Sequence, residues 1–378
     1  MTAIDCSNRA ETRATLVFGG SRDADVRFVL GLGNLENLAL LVRRGRIDVL
    51  AADMEVERIR RAVGGRITVW TLSSFRRAGD RGLWPAFARF VKGFGLREVL
   101  VGDRFPLGFA QALRSRGVKV SISGASVFPE RRRKDREQLR AISQMQSVAV
   151  RAMRAAAAII GESRVGQRNR LYWRGRTLGS EELRAEIERV VFTQCAVAEG
   201  TIVSCGVASA DPHEPGVGPL FAGQPIVVDI FPRSRASGYW GDLTRTMVKG
   251  RMNGKLRAMF SAVRRARAEA FRRMRHGVRI RSVYRAAARA LEAAGFATRM
   301  GPRAEGFIHN LGHGVGLEIH EPPVLGDVPG CLREGDVVTV EPGLYYRNVG
   351  GVRIEDVVVV TRDGCRLLSR CPLFGEIP

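Results

Sequence analysis

The sequence predicts an α/β (α+β) protein in two parts, and three observations lead there. The first is length: 378 residues exceed what one ordinary hydrophobic core organises, so two domains are expected. The second is the order of elements, in which short β-type runs alternate with amphipathic helices as in a sheet covered by helices. The third is a set of strands in the second half that are apolar at almost every position, as strands buried on both faces are. Together they predict an N-terminal α/β domain over residues 1–128, a linker helix over 129–162, and a larger C-terminal domain over 163–378.

In the first domain LALLV (38–42) and IDVLAA (47–52) are β-type runs around a turn at Arg43–Arg46. EVERIRRAV follows as a helix and ITVW (67–70) as a strand. WPAFARFVKGFG and FPLGFAQALRSRG then alternate as helices with the strands REVLVGD and VKVSI. No catalytic cluster stands out there, and its charged residues read as solvated helix faces. After Phe128-Pro129, Leu139, Ile142, Met145, Ala149, Met153, Ala156 and Ile160 recur at spacings of three and four, so one apolar helix face is expected at the joint. In the C-terminal domain Ser180 is placed to cap the helix EELRAEIERVVF, and PIVVDIF (225–231) and DLTRTMV (242–248) read as a hairpin. Two helices follow, GKLRAMFSAVRRARAEAFRRMRHG and SVYRAAARALEAAG, and the strands DVVTVEP (336–342) and GVRIEDVVVV (351–360) close the chain.

Composition narrows the function classes. No stretch approaches the roughly 18 apolar residues of a membrane span, and MTAIDCSNRAETRA lacks the apolar segment of a secretory signal. A soluble, cytoplasmic protein is expected. The six cysteines are scattered without a C-x-x-C pair, which suits reduced thiols better than disulfides or a zinc ribbon. The net charge of +23 would usually point to nucleic acid. However, 56 of the 61 basic residues are arginines, with five lysines, and no recognition motif accompanies them. Biased codon usage explains that excess, and no specific nucleic-acid partner is expected.

The chemistry lies in carboxylates that should not be where they are. Asp229 sits within IVVDIF, Glu341 ends VVTVEP, Glu355 sits within VRIEDVVVV, and Asp242 lies across the hairpin from Asp229. A buried ionised carboxylate is expensive unless compensated. Four in one interior repel one another, so protons or cations must resolve the conflict. Two divalent ions balance four negative charges. His313, in HNLGHGVGLEIHE, makes a fifth donor, with Gly312, Gly314 and Gly316 allowing close backbone packing. Such an oxygen-rich set suits Mn²⁺, Co²⁺, Fe²⁺ or Zn²⁺ in a hydrolase. Of the five histidines only His276 falls outside this region, at the end of a basic helix; His213, His309, His313 and His320 accompany the acids. Arg353, two residues before Glu355, shares its strand face, either as a counter-ion or as a substrate-binding group.

The motifs VVDIF with GDLTRT, HNLGHGVGLEIHE, VEPGLY and GGVRIED, in this order, resemble the peptidase family of prolidase, aminopeptidase P, methionine aminopeptidase and creatinase. The resemblance covers the chain from about residue 130 to its end, and residues 1–128 resemble the family's smaller N-terminal domain in outline. It implies a C-terminal pita-bread domain behind a creatinase-like N-terminal domain. It also implies two metals, Mn²⁺ first among them: Asp229 on one, Asp242 and Glu355 bridging, His313 and Glu341 on the other. His213, His309, His320 and Arg353 would contact substrate, Glu341 would shuttle a proton, and Thr244 would bond within the ligand shell. The aspartates lie 13 residues apart, farther than in the family pattern, which brings Arg233, Arg235, Tyr239 or Trp240 toward the substrate mouth. The implied activity is hydrolysis of Xaa-Pro dipeptides by a homodimer. The alternatives are an Xaa-Pro aminopeptidase acting on longer peptides and, in another class, a non-catalytic binding module.

Overall fold

The computed structural model of the chain describes residues 14–43, 45–123, 127–298, 300–301 and 304–378. Residues 1–13, read above for a leader and including Cys6, lie outside the described residues. The chain divides into two compact units, Met1–Arg131 and Arg132–Pro378. Among the described residues no helix is long and apolar enough to cross a membrane.

The sheet of the first unit runs in the order Ile67–Thr71, Arg46–Ala51, Leu38–Arg43, Ala14–Gly19, Glu98–Val101, Lys119–Ile122. Leu38–Arg43 is antiparallel to both neighbours, and the outer pairings are parallel. The run LALLV is apolar throughout because alternate residues serve opposite faces. Leu38, Leu40 and Val42 pack with helices Ala24–Leu30 and Asp53–Val63. Ala39 and Leu41 pack with helices Trp84–Gly93 and Leu107–Arg114. Strand Ala14–Gly19 and helix Ala24–Leu30 are additions to the elements expected from sequence.

The second unit is built twice from one plan, a helix pair on a sheet. Helices Arg136–Glu162 and Ser180–Phe192 share a core with the sheet Ile202–Cys205, Ile226–Ile230, Leu243–Lys249, Gly375–Ile377. Helices Gly254–Arg273 and Ile280–Glu292 share another with the sheet Glu321–Leu325, Gly312–Gly314, Val337–Val340, Asp356–Val360, Cys365–Leu367. A separate hairpin, Gly343–Tyr346 with Gly350–Arg353, packs into this second core.

Three local readings change. Helix Arg136–Glu162 starts from a capping box in which Asp135 and Gln138 satisfy each other's backbone N–H. Its stripe Met145, Ala149, Met153, Ala156 and Ile160 lies in the core of the second unit, so the helix belongs to that unit rather than forming a free joint. Ser180 does not cap; Gly179 occupies the cap position and the Ser180 hydroxyl is buried within the helix start. GVRIEDVVVV is two strands, Gly350–Arg353 and Asp356–Val360, in different sheets. The break falls at Ile354–Glu355, where the Glu355 N–H turns to donate to Thr244 O at 3.1 Å.

Candidate metal centre

The two halves of the second unit deliver their acids to one place. Asp229, inside Ile226–Ile230, pairs across the sheet with Thr244, and Ile230 with Leu243. The 13-residue separation therefore leaves the register intact. Its extra length forms Arg233–Ser234, paired with Ala196–Val197. It also carries Trp240, whose backbone and indole N–H groups donate to Gly316 O and Leu317 O at 2.9 and 3.2 Å. The insert is thus anchored beside the segment holding His313 and His320. From the other half, Glu341 follows strand Val337–Val340 and His313 lies in Gly312–Gly314. A Cβ on Gly312 would stand 2.2 Å from Thr339 O, and one on Gly314 2.4 Å from Glu321 O. Only glycine allows these strands to approach so closely around His313.

Asp242, His313 and Glu355 each present a donor atom, all within 4.8 Å of one another. His313 Nε2 lies 3.8 Å from Asp242 Oδ2 and 3.4 Å from Glu341 Oε1. Burial, with the neighbouring His320, pushes the His313 imidazole down to about 4, so the ring is neutral near pH 7. Its Nδ1 lies 3.1 Å from Gly314 O, a contact made by an Nδ1–H donor. The lone pair of Nε2 then faces two carboxyl oxygens, a contact that either protons held on the acids or a cation between them satisfies.

The carboxyls carry the same signature. Burial, then Glu355, Asp229 and Glu341, hold Asp242 well above the usual carboxylate range. Burial, then Glu341 and Asp229, raise Glu355 likewise, against a short Thr244 hydroxyl bond of 2.6 Å to Oε2. Burial pushes Glu341 up to about 7 although Arg353 opposes it. Asp229 Oδ1 is buried without a hydrogen-bond partner, an acceptor that native interiors seldom leave unmet. Crowded acids, a neutral imidazole nitrogen and an orphaned oxygen are the chemistry of a divalent cation site, and these residues fit it.

Arg353 is 4% exposed and committed to protein atoms. It donates to Asp229 Oδ2 at 2.7 Å, Tyr345 Oη at 2.9 Å, Pro212 O at 3.2 Å and, from Nε, Thr244 Oγ1 at 3.2 Å. Four of its five N–H donors are spent, so it holds no free fork for a substrate carboxylate. Although the strand breaks between them, Arg353 and Glu355 meet at the Thr244 hydroxyl. His309 is also engaged at both nitrogens, 2.6 Å from Asn310 O and 3.0 Å from Tyr345 Oη. Burial and the Arg353 charge push it down to about 3, so it offers a ring face rather than a hydrogen bond. His320 is exposed, its ring 4.2 Å from that of His313. His213 is exposed on the loop after Asp211, near enough for its charge to act on His309 and His320.

Sequence reasoning did not single out Tyr345, Thr339 or Arg245. Tyr345, 1% exposed, joins Arg353 to His309, and burial raises its hydroxyl to about 12. Thr339 accepts from the His313 N–H and donates to Glu341 Oε1. Arg245 is wholly buried and donates to the Thr244 and Glu355 carbonyls and to Asp356. It fixes the backbone that presents Glu355.

Fold and centre together define a metal-dependent hydrolase, and comparison with known proteins gives its family. Residues 140–362 match the profile of metallopeptidase family M24, and the chain belongs to that family. It is 30% identical over 284 residues to an Xaa-Pro dipeptidase of Pyrococcus horikoshii, covering 73% of this chain and 74% of that one. It is 33% identical over 243 residues to an Xaa-Pro dipeptidase of Pyrococcus furiosus, covering 63% of each. The solved prolidase of Pyrococcus furiosus superposes with a TM-score of 0.79 at 23% identity over 96% of this chain and 97% of that one. An X-Pro aminopeptidase from Thermotoga maritima gives 0.79 at 22% identity over 97% and 98%. At such identities the superpositions establish the fold, the pita-bread arrangement of two similar halves.

Proposed function

We propose that this hydrolase cleaves the peptide bond before proline, with Xaa-Pro dipeptides as its substrates. The observation that carries the reading is the donor set: Asp229, Asp242, His313, Glu341 and Glu355 gathered in one region, where Arg353 pairs with Asp229 but Asp242, Glu341 and Glu355 have no lysine or arginine ion pair among the described residues. The dipeptide substrate is supported by the Xaa-Pro dipeptidases to which the chain is similar. A binding module would have no need to keep all five donors.

These five residues would hold two divalent ions, for which Mn²⁺ suits the oxygen-rich set, and the ions would supply Lewis acidity toward the scissile carbonyl. The remaining steps belong to the protein. Glu341 Oε1 is held by the Thr339 hydroxyl, and its Oε2 takes a proton from the attacking water and passes it to the leaving proline nitrogen. A carboxylate so placed can take and give a proton as general base and then general acid. His320 stabilises the negative charge that develops on the carbonyl oxygen. His213 binds the substrate's far end, and the ring face of His309 packs against the proline. Arg353 acts as a positioning residue that orients Asp229. Proline lacks a backbone N–H, so ring shape and flanking groups must be recognised instead.

The resemblance also carries a cytoplasmic homodimer; light scattering should give about twice the 41.5 kDa chain mass, and a monomer under active conditions would exclude it. The substrate reading is tested by kcat/KM for Ala-Pro, Leu-Pro, Ala-Ala and Ala-Pro-Ala with added Mn²⁺. Preference for the two Xaa-Pro dipeptides is expected. Faster cleavage of Ala-Pro-Ala would replace the dipeptidase reading with an aminopeptidase one, and indifference to proline would end both.

A further inference from the structure

The arginines are less evenly spread than composition suggests. Residues 264–289 hold ten of them and one acid, Glu269. In the fold these arginines, except the half-buried Arg267, are exposed on the helix pair Gly254–Arg273 and Ile280–Glu292 and the turn between them. Two hollows adjoin there, of about 500 and 200 Å³, sharing Arg273, Ala286 and Arg289. Arg272 lines the first, and Arg279, Arg281 and Arg285 line the second. Against these six arginines stand two carboxylates, Glu269 paired with Arg272 and Asp327 paired with Arg281 and Arg285, a local excess of four positive charges. Arg273, Arg279 and Arg289 meet no carboxylate among the described residues.

This arrangement opposes the stability of its own helix. Helix Ile280–Glu292 has no acid in its first turn; Arg279 is its cap residue and Arg281 its second residue. Cations at that end add to the positive end of the helix dipole, and guanidinium groups around a shared hollow repel one another. An anion removes both penalties. Because the two hollows are joined through Arg273 and Arg289 over the small side chain of Ala286, a chain of anionic groups fits better than a single one. Guanidinium forks are matched to phosphate oxygens.

We propose that this arginine trough binds an oligophosphate group, inorganic or carried by a nucleotide, at a site separate from the metal centre. The test is calorimetric titration of inorganic triphosphate and of ATP into the full chain at roughly 0.15 M salt, where long-range attraction is screened. Arg279→Ser/Arg289→Ser should weaken binding of both about tenfold or more, the loss of at least one charged hydrogen bond. Arg264→Ser/Arg265→Ser removes the same charge from exposed positions of the first helix outside the hollows and should weaken it about twofold or less. Melting temperatures confirm that both double variants fold. Equal weakening in the two variants would overturn the proposal, since general attraction to a chain of net charge +23 predicts that. Sulfate binding as tightly as triphosphate, or binding to phosphatidate vesicles without binding to soluble triphosphate, would overturn it as well.

Discussion

Replacing Arg353 with lysine separates a residue that holds the centre from one that grips substrate. The guanidinium makes four donated bonds, to Asp229, Tyr345, Pro212 and Thr244, while 4% exposed. Lysine keeps the charge, but one compact ammonium cannot reach partners spread around a planar fork. Hydrogen bonds involving a charged group contribute about 1.5–3 kcal/mol each. Losing two, with partial relaxation, predicts a destabilisation of about 2–4 kcal/mol. For a unit the size of Arg132–Pro378 this lowers the melting temperature by roughly 5–15 °C. The assay is thermal unfolding with and without Mn²⁺, alongside metal content and dipeptide kinetics on the same sample. The expected result is lower melting, reduced metal occupancy and a fall in kcat with little change in KM, because Asp229 loses its orientation. Unchanged melting and metal content with a raised KM alone would refute the reasoning and return Arg353 to substrate binding.

Three further outcomes follow from the same geometry. Gly314→Ala would place a Cβ 2.4 Å from Glu321 O and 2.6 Å from Pro322 O; the strands must separate, costing about 1–3 kcal/mol and weakening metal binding through His313, which metal titration and melting would detect. Glu341→Gln should lower kcat by on the order of 10², and a loss under about threefold would move the proton to another group. The same variant tests a pH dependence in chelated protein. The folded value of Glu341, about 7, lies above its ordinary value of 4.5, so the folded state binds more protons than the unfolded one. That contribution is full below about 4.5 and lost as pH rises through about 7. Melting of chelated wild type should therefore decline from pH 5 to 8 more steeply than that of Glu341→Gln; parallel curves would contradict it.

What could be read in the chain was its anomalies. Asp229, Glu341 and Glu355 stood out because apolar strands cannot bury lone charges cheaply, and the structure places each of them in the crowded region around His313. Arg245 and Asp356 are anomalies of the same kind, in the buried strands Leu243–Lys249 and Asp356–Val360. The fold explains them differently: they neutralise one another at 2.8 Å, with Arg267 joining from a helix, so they need no cation. Tyr345 gave no signal: an aromatic residue in a short strand is ordinary, and only the fold reveals that its hydroxyl lies between Arg353 and His309. The break at Ile354–Glu355 was hidden because VRIEDVVVV is apolar enough to run on, and the competing partner, Thr244 O, comes from a strand more than 100 residues earlier. Helix Ala24–Leu30 was legible in principle. Asp23 accepts from the N–H groups of Asp25 and Val26, and Gly31 closes the helix at φ 66°, but seven residues carry too little periodicity to be seen without the caps. The arginines divide in the same way: their number is a property of composition, whereas the trough between two helices is visible only in the fold.

The central claim is that buried carboxylates and one neutral imidazole make this chain a two-metal peptidase for proline-containing dipeptides. Its most direct test is a titration of chelated protein with Mn²⁺ in which bound metal and Ala-Pro hydrolysis are followed in one sample. The account predicts no hydrolysis at the start and a rise that saturates at two ions per chain, with both ions weakened in Glu355→Gln. Full hydrolysis by thoroughly metal-free protein, or saturation without any bound metal, would contradict it.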